Sequence, residues 1–125
     1  MQNLENYKEK VFENIKHIDE YGCEYWEARE LQTVLCYNKW ENFMKVILNA
    51  LQACITTKGS SDDDFLEVRK IVKAGATSKK IIDYQLSRYA CYLIAQNGDP
   101  RKDIIALAQS YFAFQTRKQE LLEEY

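Results

Sequence analysis

Most apolar residues of this chain recur at helical spacing, and the period changes in two stretches. Trp40, Phe43, Met44, Ile47, Leu48 and Leu51 fall at offsets 0, 3, 4, 7, 8 and 11, while Lys39, Glu41, Lys45, Asn49 and Gln52 take the other faces. The spacing predicts an amphipathic helix over 39–54, about four turns long, with Asn38 as its N-cap. Ala28, Leu31, Val34 and Leu35 share a face and predict a helix over 27–36, broken by YNK at 37–39. Together the two make a helix–turn–helix shape. The stretch LSRYACYLIAQNGDP (86–100) differs, because Tyr89 to Ala95 carries no charge at all. Ser87 is the expected N-cap, and Asn97-Gly98 the stop, with Gly98 suited to a left-handed position. Asp99 is expected to cap a last helix, with Pro100 in its first turn. That helix runs through Ile104, Ile105, Leu107, Ala108, Tyr111, Phe112 and Phe114, then turns polar at QTRKQELLEEY. A helix with almost no polar face is expected at the centre of a helical core.

The period is ambiguous in two places. In 12–28, Phe12, Ile15 and Ile18 suit a helix, but EYGCE is a turn signal between NIKHI and EYWEA, which favours a short hairpin. In 65–84, β-branched runs flank AGATS; either a hairpin or a helix ending at Gly75 fits, and the hairpin is preferred. TTKGSSDDD (56–64) reads as a solvated loop in which one aspartate caps the next element. The expected fold is α+β and predominantly helical: about four or five helices around a buried central helix (87–97), with one or two small β-hairpins.

Composition adds bounds to this pattern. The 125 residues, 46% hydrophobic and 29% charged, make a single domain over 1–125 able to bury a core, with 1–11 as a frayed helix or flexible arm. The last helix shows no stop signal, which reads as the N-terminal part of a longer protein or as a segment that packs on a partner. Cys23, Cys36, Cys54 and Cys91 form no CxxC pair, and His17 is the single histidine, so a zinc site at the usual spacing is not expected. Free thiols, a polar N-terminus and the lack of a 20-residue apolar run point to the cytoplasm, with no membrane contact. His17 has no nucleophile motif beside it, Cys91 reads as a buried inert thiol, and Arg88 and Tyr89 point about 100° apart on their helix. No Gly-rich phosphate loop or GxSxG is present. The chain is expected not to be an enzyme, and to use no cofactor, metal or small-molecule substrate.

The net charge of −2 rules out a global basic field, so nucleic-acid binding would need a local patch. RKIVKAGATSKK supplies one, with Arg69, Lys70, Lys73, Lys79 and Lys80 and no acid. On a hairpin these would form a basic wing suited to phosphate contacts; a solvated strip is the alternative. Smaller clusters are Arg101 with Lys102 and Arg117 with Lys118. Lys39, Asn42, Lys45 and Asn49 could read a groove or form an ordinary wet face, and that helix has no arginine to read guanine.

Three segments, EYWEARELQTVLCYNKWENF (24–43), DYQLSRYACYLIAQNGDPRK (83–102) and YFAFQTRKQEL (111–121), resemble the N-terminal half of the DNA-damage-inducible protein D family. More distantly, the pattern W-x-A-R-x-L…L-x-Y resembles the BRO N-terminal domain of phage antirepressors and viral proteins. The resemblance implies a non-catalytic regulatory module of the bacterial SOS response, with RecA recombinase, DNA, or both as partners, and a possible homodimer. It implies inhibition of RecA and disassembly of RecA filaments, and longer relatives with a second, helix-rich half. Arg88, Asn97, Asp99, Arg101 and Lys102 would then be available to RecA or DNA, although Asn97 and Asp99 also serve as caps and Arg88 could pair with Asp83. The alternative is an antirepressor-like protein–protein or dimerisation module without nucleic-acid contact. One departure stands out: Leu35-Cys36-Tyr37 replaces the family's Leu-Gly-Tyr, and a cysteine in a left-handed helix stop costs about 1 kcal/mol or more, so a different turn is expected there.

Overall fold

A computed structural model describes residues 11–123. A helical turn at 11–14 leads into β1 (Lys16–Ile18) and β2 (Glu24–Glu27), followed by α1 (Ala28–Val34) and α2 (Trp40–Lys58). Then come β3 (Phe65–Ala74), β4 (Thr77–Leu86), α3 (Arg88–Gln96) and α4 (Asp103–Glu123). The strands form one antiparallel sheet of order β1-β2-β4-β3.

Both ambiguous stretches are hairpins. In the first, Gly22 takes the positive φ of the turn, and His17 pairs with Tyr25. In the second, Gly75 (φ 66) and Ala76 join Ala74 to Thr77. Gly75 alone has positive φ there, which fits a two-residue turn with glycine in first place. The left-handed glycine that could have ended a helix instead reverses a strand.

The core lies where the base of the sheet meets the helices. Trp26, Phe12 and Phe112 are fully buried. The Phe112 ring is 5.4 Å from Trp26 and 5.2 Å from Phe12, both edge-on. The Trp26 indole N–H donates to the Phe12 carbonyl at 3.0 Å, so the largest buried ring also has its polar atom satisfied. On α2 the buried stripe is Phe43, Ile47, Ala50 and Cys54, with Leu48 exposed. The helix runs on to Lys58, past the expected end at 54, and Gly59 (φ 85) stops it.

The expectation of a predominantly helical protein wrapped around 87–97 is corrected. The hairpins are joined in one four-stranded sheet, and β3 and β4 have ten residues each. Helix α3 is one wall of the core. It buries Ala90, Cys91, Ile94 and Ala95, while Tyr89, Tyr92 and Leu93 are half-buried. Lack of charge does not require burial on all sides, because a tyrosine can bury its ring and leave its hydroxyl at the water edge. Burial pushes the Cys91 thiol up, which keeps it protonated.

The turns also differ from expectation. Gly98 is not left-handed; it is glycine because a Cβ there would sit 2.7 Å from Ile105 Cγ2. Asp99 accepts from the Arg101 N–H at 3.0 Å in a turn ahead of α4, so Asp99 and Pro100 precede the helix and do not open it. The start of α2 has Lys39, not Asn38, at its N-cap. Cys36 does adopt the left-handed conformation (φ 63) and is exposed, so the turn keeps the glycine-like geometry with the strain that entails. Replacing Cys36 with Gly removes the Cβ clash and no packing. The expected gain is about 1 kcal/mol in urea unfolding, net of glycine's greater freedom in the unfolded chain.

Candidate nucleic-acid interface

The sheet is uneven, and its unevenness builds the site. Strand β2 pairs with β4 only at Trp26↔Leu86 and Glu27↔Gln85. Among the described residues, the outer rungs, Glu67↔Tyr84 through Ala74↔Thr77, have no third strand. From Ile71 to Lys80 every residue is exposed. Six residues past Arg69 at ~3.3 Å each carry this two-stranded arm about 20 Å outward.

The five basic residues of the arm divide into two groups. Lys70 is anchored: its ammonium lies 2.7 Å from Asp83 Oδ2 and donates to Glu27 Oε2 at 2.8 Å. Asp83 is fully buried, and its Oδ1 accepts from the Arg29 and Tyr84 backbone N–H groups at 3.0 and 2.8 Å. The Arg29 guanidinium closes the joint, donating to the Ile82 carbonyl at 2.8 Å and lying 3.9 Å over the Trp40 ring. Partial burial would lower the Lys70 pKa, but its two carboxylate partners outweigh this and raise it. Arg69, Lys73, Lys79 and Lys80 have no ion-pair or hydrogen-bond partner for their side chains among the described residues. All four are exposed.

The other expected contact residues are mostly engaged. Arg88 pairs with Glu24, not Asp83, and reaches Gln119 Oε1 at 3.1 Å. It ties the start of α3 to β2 and α4. Arg101 pairs with Asp99 at 2.9 Å and Arg117 with Glu120 at 3.2 Å. Lys102 stands 5.9 Å from the Tyr37 ring. Lys118 is exposed on the far half of α4, on a different element from the arm.

Two further polar clusters occur. A groove of about 790 Å³ is lined by residues of the β1–β2 turn, the start of α3 and the end of α4. Its main charges are internally matched: Lys58 donates to Asp64 at 2.8 Å, and Arg88 meets Glu24. Asp64 also accepts from the Ser87 hydroxyl at 2.5 Å, while Ser87 caps α3 through the Ala90 N–H. Burial would raise the Asp64 carboxyl; the Lys58 ammonium and Ser87 hydroxyl outweigh that and hold it below its ordinary value. The second cluster is His17, Glu27 and Glu30, whose ligating atoms lie within 4.8 Å of one another. A divalent cation could be held there, but His17 already bonds Glu30 at 2.5 Å and Lys70 already supplies Glu27 with a positive charge.

The BRO family, N-terminal domain, matches residues 14–113, which takes in the whole sheet, the arm and the first half of α4. The chain belongs to this family. It is also 45% identical over 120 residues to DNA damage-inducible protein D of Escherichia coli (strain K12), covering 95% of this chain and 44% of that protein. The chain thus spans less than half the length of that curated relative. No solved structure matches it. No helix among the described residues is long and apolar enough to cross a membrane.

In this BRO N-terminal domain, the residues that sequence reasoning missed are the acids that set the arm in place. Glu27 lies 43 positions from Lys70, so no local pattern connects them. Truncating Asp83 to Ala leaves the Arg29 and Tyr84 N–H groups without their acceptor and takes from the Lys70 ammonium one of its two carboxylates, Glu27 remaining. The expected cost is about 3–5 kcal/mol in urea unfolding. The Asp64 carboxyl, lowered by folding, gives stability that is present above its ordinary value of 3.8 and lost as pH falls through its lower folded value. Asp64→Asn is therefore expected to lose about 1–3 kcal/mol at pH 7, and the gap to wild type should close in strongly acid urea titrations.

Proposed function

We propose that this domain is the DNA-contacting part of a non-catalytic regulator in the DNA-damage response, and that the β3–β4 arm makes the contact. The single observation that carries this reading is the set of four free cations, Arg69, Lys73, Lys79 and Lys80, on a ribbon exposed on both faces. A protein of net charge −2 that concentrates unpaired positive charge on one projecting element has an electrostatic footprint for a polyanion. Similarity to DNA damage-inducible protein D favours the damage response, and RecA–DNA filaments are the partner this reading nominates beside bare DNA. The four free thiols fit a reducing compartment such as the cytoplasm.

Lys70 drops out of the contact set, because using it would break the joint with Asp83 and Glu27. Arg88 drops out because it braces α3. The test is charge reversal of Arg69, Lys73, Lys79 and Lys80 to Glu, with Lys70 untouched. Electrophoretic titration against bare and RecA-coated DNA should show binding lost. In the wild type the slope of log affinity against log salt should exceed that of a four-Ala variant by about 3–4. Unchanged binding at low salt rejects the arm as the contact.

A further inference from the structure

The arm's shape and side-chain order name the form of nucleic acid it fits, an inference that rests on the reading of the arm as the DNA contact. Cross-strand partners share a face, so the register assigns every residue to one side. One face carries the pairs Arg69↔Ile82, Ile71↔Lys80 and Lys73↔Ser78. The other carries Lys70↔Ile81, Val72↔Lys79 and Ala74↔Thr77. Three of the four free cations therefore stand on the first face, one per rung, alternating between the two strands. Among the described residues, Lys79 is the one free cation of the second face, since Lys70 is held by Asp83 and Glu27.

The ribbon holds no aromatic residue between Leu66 and Asp83. Single-strand binders stack successive bases on aromatic rings, worth about 1–3 kcal/mol per base, and this arm offers no such platform. Its exposed apolar residues are β-branched: Ile71 is 69% and Ile82 40% exposed. Side chains of this kind meet thymine methyl groups, and arginine reads guanine, from within the major groove. A two-stranded ribbon, its strands ~4.8 Å apart and carrying side chains on both faces, fits the major groove, about 12 Å wide, without deforming the duplex; entering the ~6 Å minor groove requires widening and kinking it. The alternating cations then reach towards both phosphate walls.

We propose that the arm enters the major groove of double-stranded DNA, with the face bearing Arg69, Ile71, Lys73, Ser78, Lys80 and Ile82 turned inward. Glu67, exposed one rung nearer the base on the same face, marks where the contact ends.

The experiment is fluorescence-anisotropy titration of the whole chain with a duplex and with the single strand of the same sequence, across a salt series. The duplex should bind at least about tenfold more tightly, and binding should protect guanine N7 from methylation. An Arg69→Ala/Lys73→Ala/Lys80→Ala variant should flatten the salt slope by about 2–3, and Lys79→Ala, on the face turned away, by no more than about 0.5. All four positions are exposed, and a far-UV spectrum checks that the fold is kept. Should the triple variant misfold, guanine protection and the Lys79→Ala slope decide the matter on intact protein. Equal or tighter binding to the single strand overturns the groove inference while leaving the arm as a DNA contact. Absence of binding to either form removes the underlying reading with it. A triple variant that keeps its DNA affinity but self-associates shows that the lysines guard a free strand edge, and also overturns the inference.

Discussion

A buried carboxylate organises this domain. Asp83 gives up all contact with water, a cost of several kcal/mol for an ion. It is compensated by two backbone N–H groups and the Lys70 ammonium. Each partner comes from a different part of the fold. Arg29 belongs to the first turn of α1, Tyr84 to β4 itself, and Lys70 to β3, where it also holds Glu27 of β2. One side chain thus fixes where the sheet stops being a sheet and becomes a free ribbon. Without that joint the outer rungs would be an isolated hairpin, which is marginal in water.

The same residue type does opposite work a few positions apart. Lys70 spends its charge inside the protein, whereas Lys73, Lys79 and Lys80 keep theirs for solvent or a ligand. Along the chain, RKIVKAGATSKK is one basic run and its hairpin is recognisable from the β-branched residues around Gly75. The division of labour within it is not, since it depends on Glu27 and Asp83 arriving from elsewhere. Arg88 is a similar case: the helix start at Ser87 is legible from the sequence, but the acid that meets Arg88 is Glu24 on a strand 64 positions earlier.

The fold was legible where a local signal sufficed. The spacing around Trp40 to Leu51 locates α2, and Gly22 and Gly75 mark the two hairpin turns. What the pattern could not show was that β2 would join β4 and merge two hairpins into one sheet, because only two rungs, Trp26↔Leu86 and Glu27↔Gln85, make the connection. The uncharged run from Tyr89 to Ala95 invited the idea of a central rod. A nine-residue helix has room to bury one face, and Tyr89 and Tyr92 stack at 6.2 Å on its half-buried side. The centre went to Trp26, whose indole proton needed the Phe12 carbonyl, and to the aromatic cluster that α4 brings against it.

A projecting ribbon whose two edges are unpaired among the described residues carries a hazard as well as an opportunity. Unpaired strand edges recruit other strands, and charged residues along them are the common defence. Here defence and recognition ask for the same side chains, but they differ over the apolar ones. A purely defensive edge would have no reason to expose Ile71 and Ile82 between its cations. Nor would it place a cation opposite a neutral partner on each rung from Arg69 to Lys73 while gathering three of the four free ones on one face. Register, exposure and the anchoring of Lys70 together favour a surface shaped to meet a ligand over one that only repels its own kind.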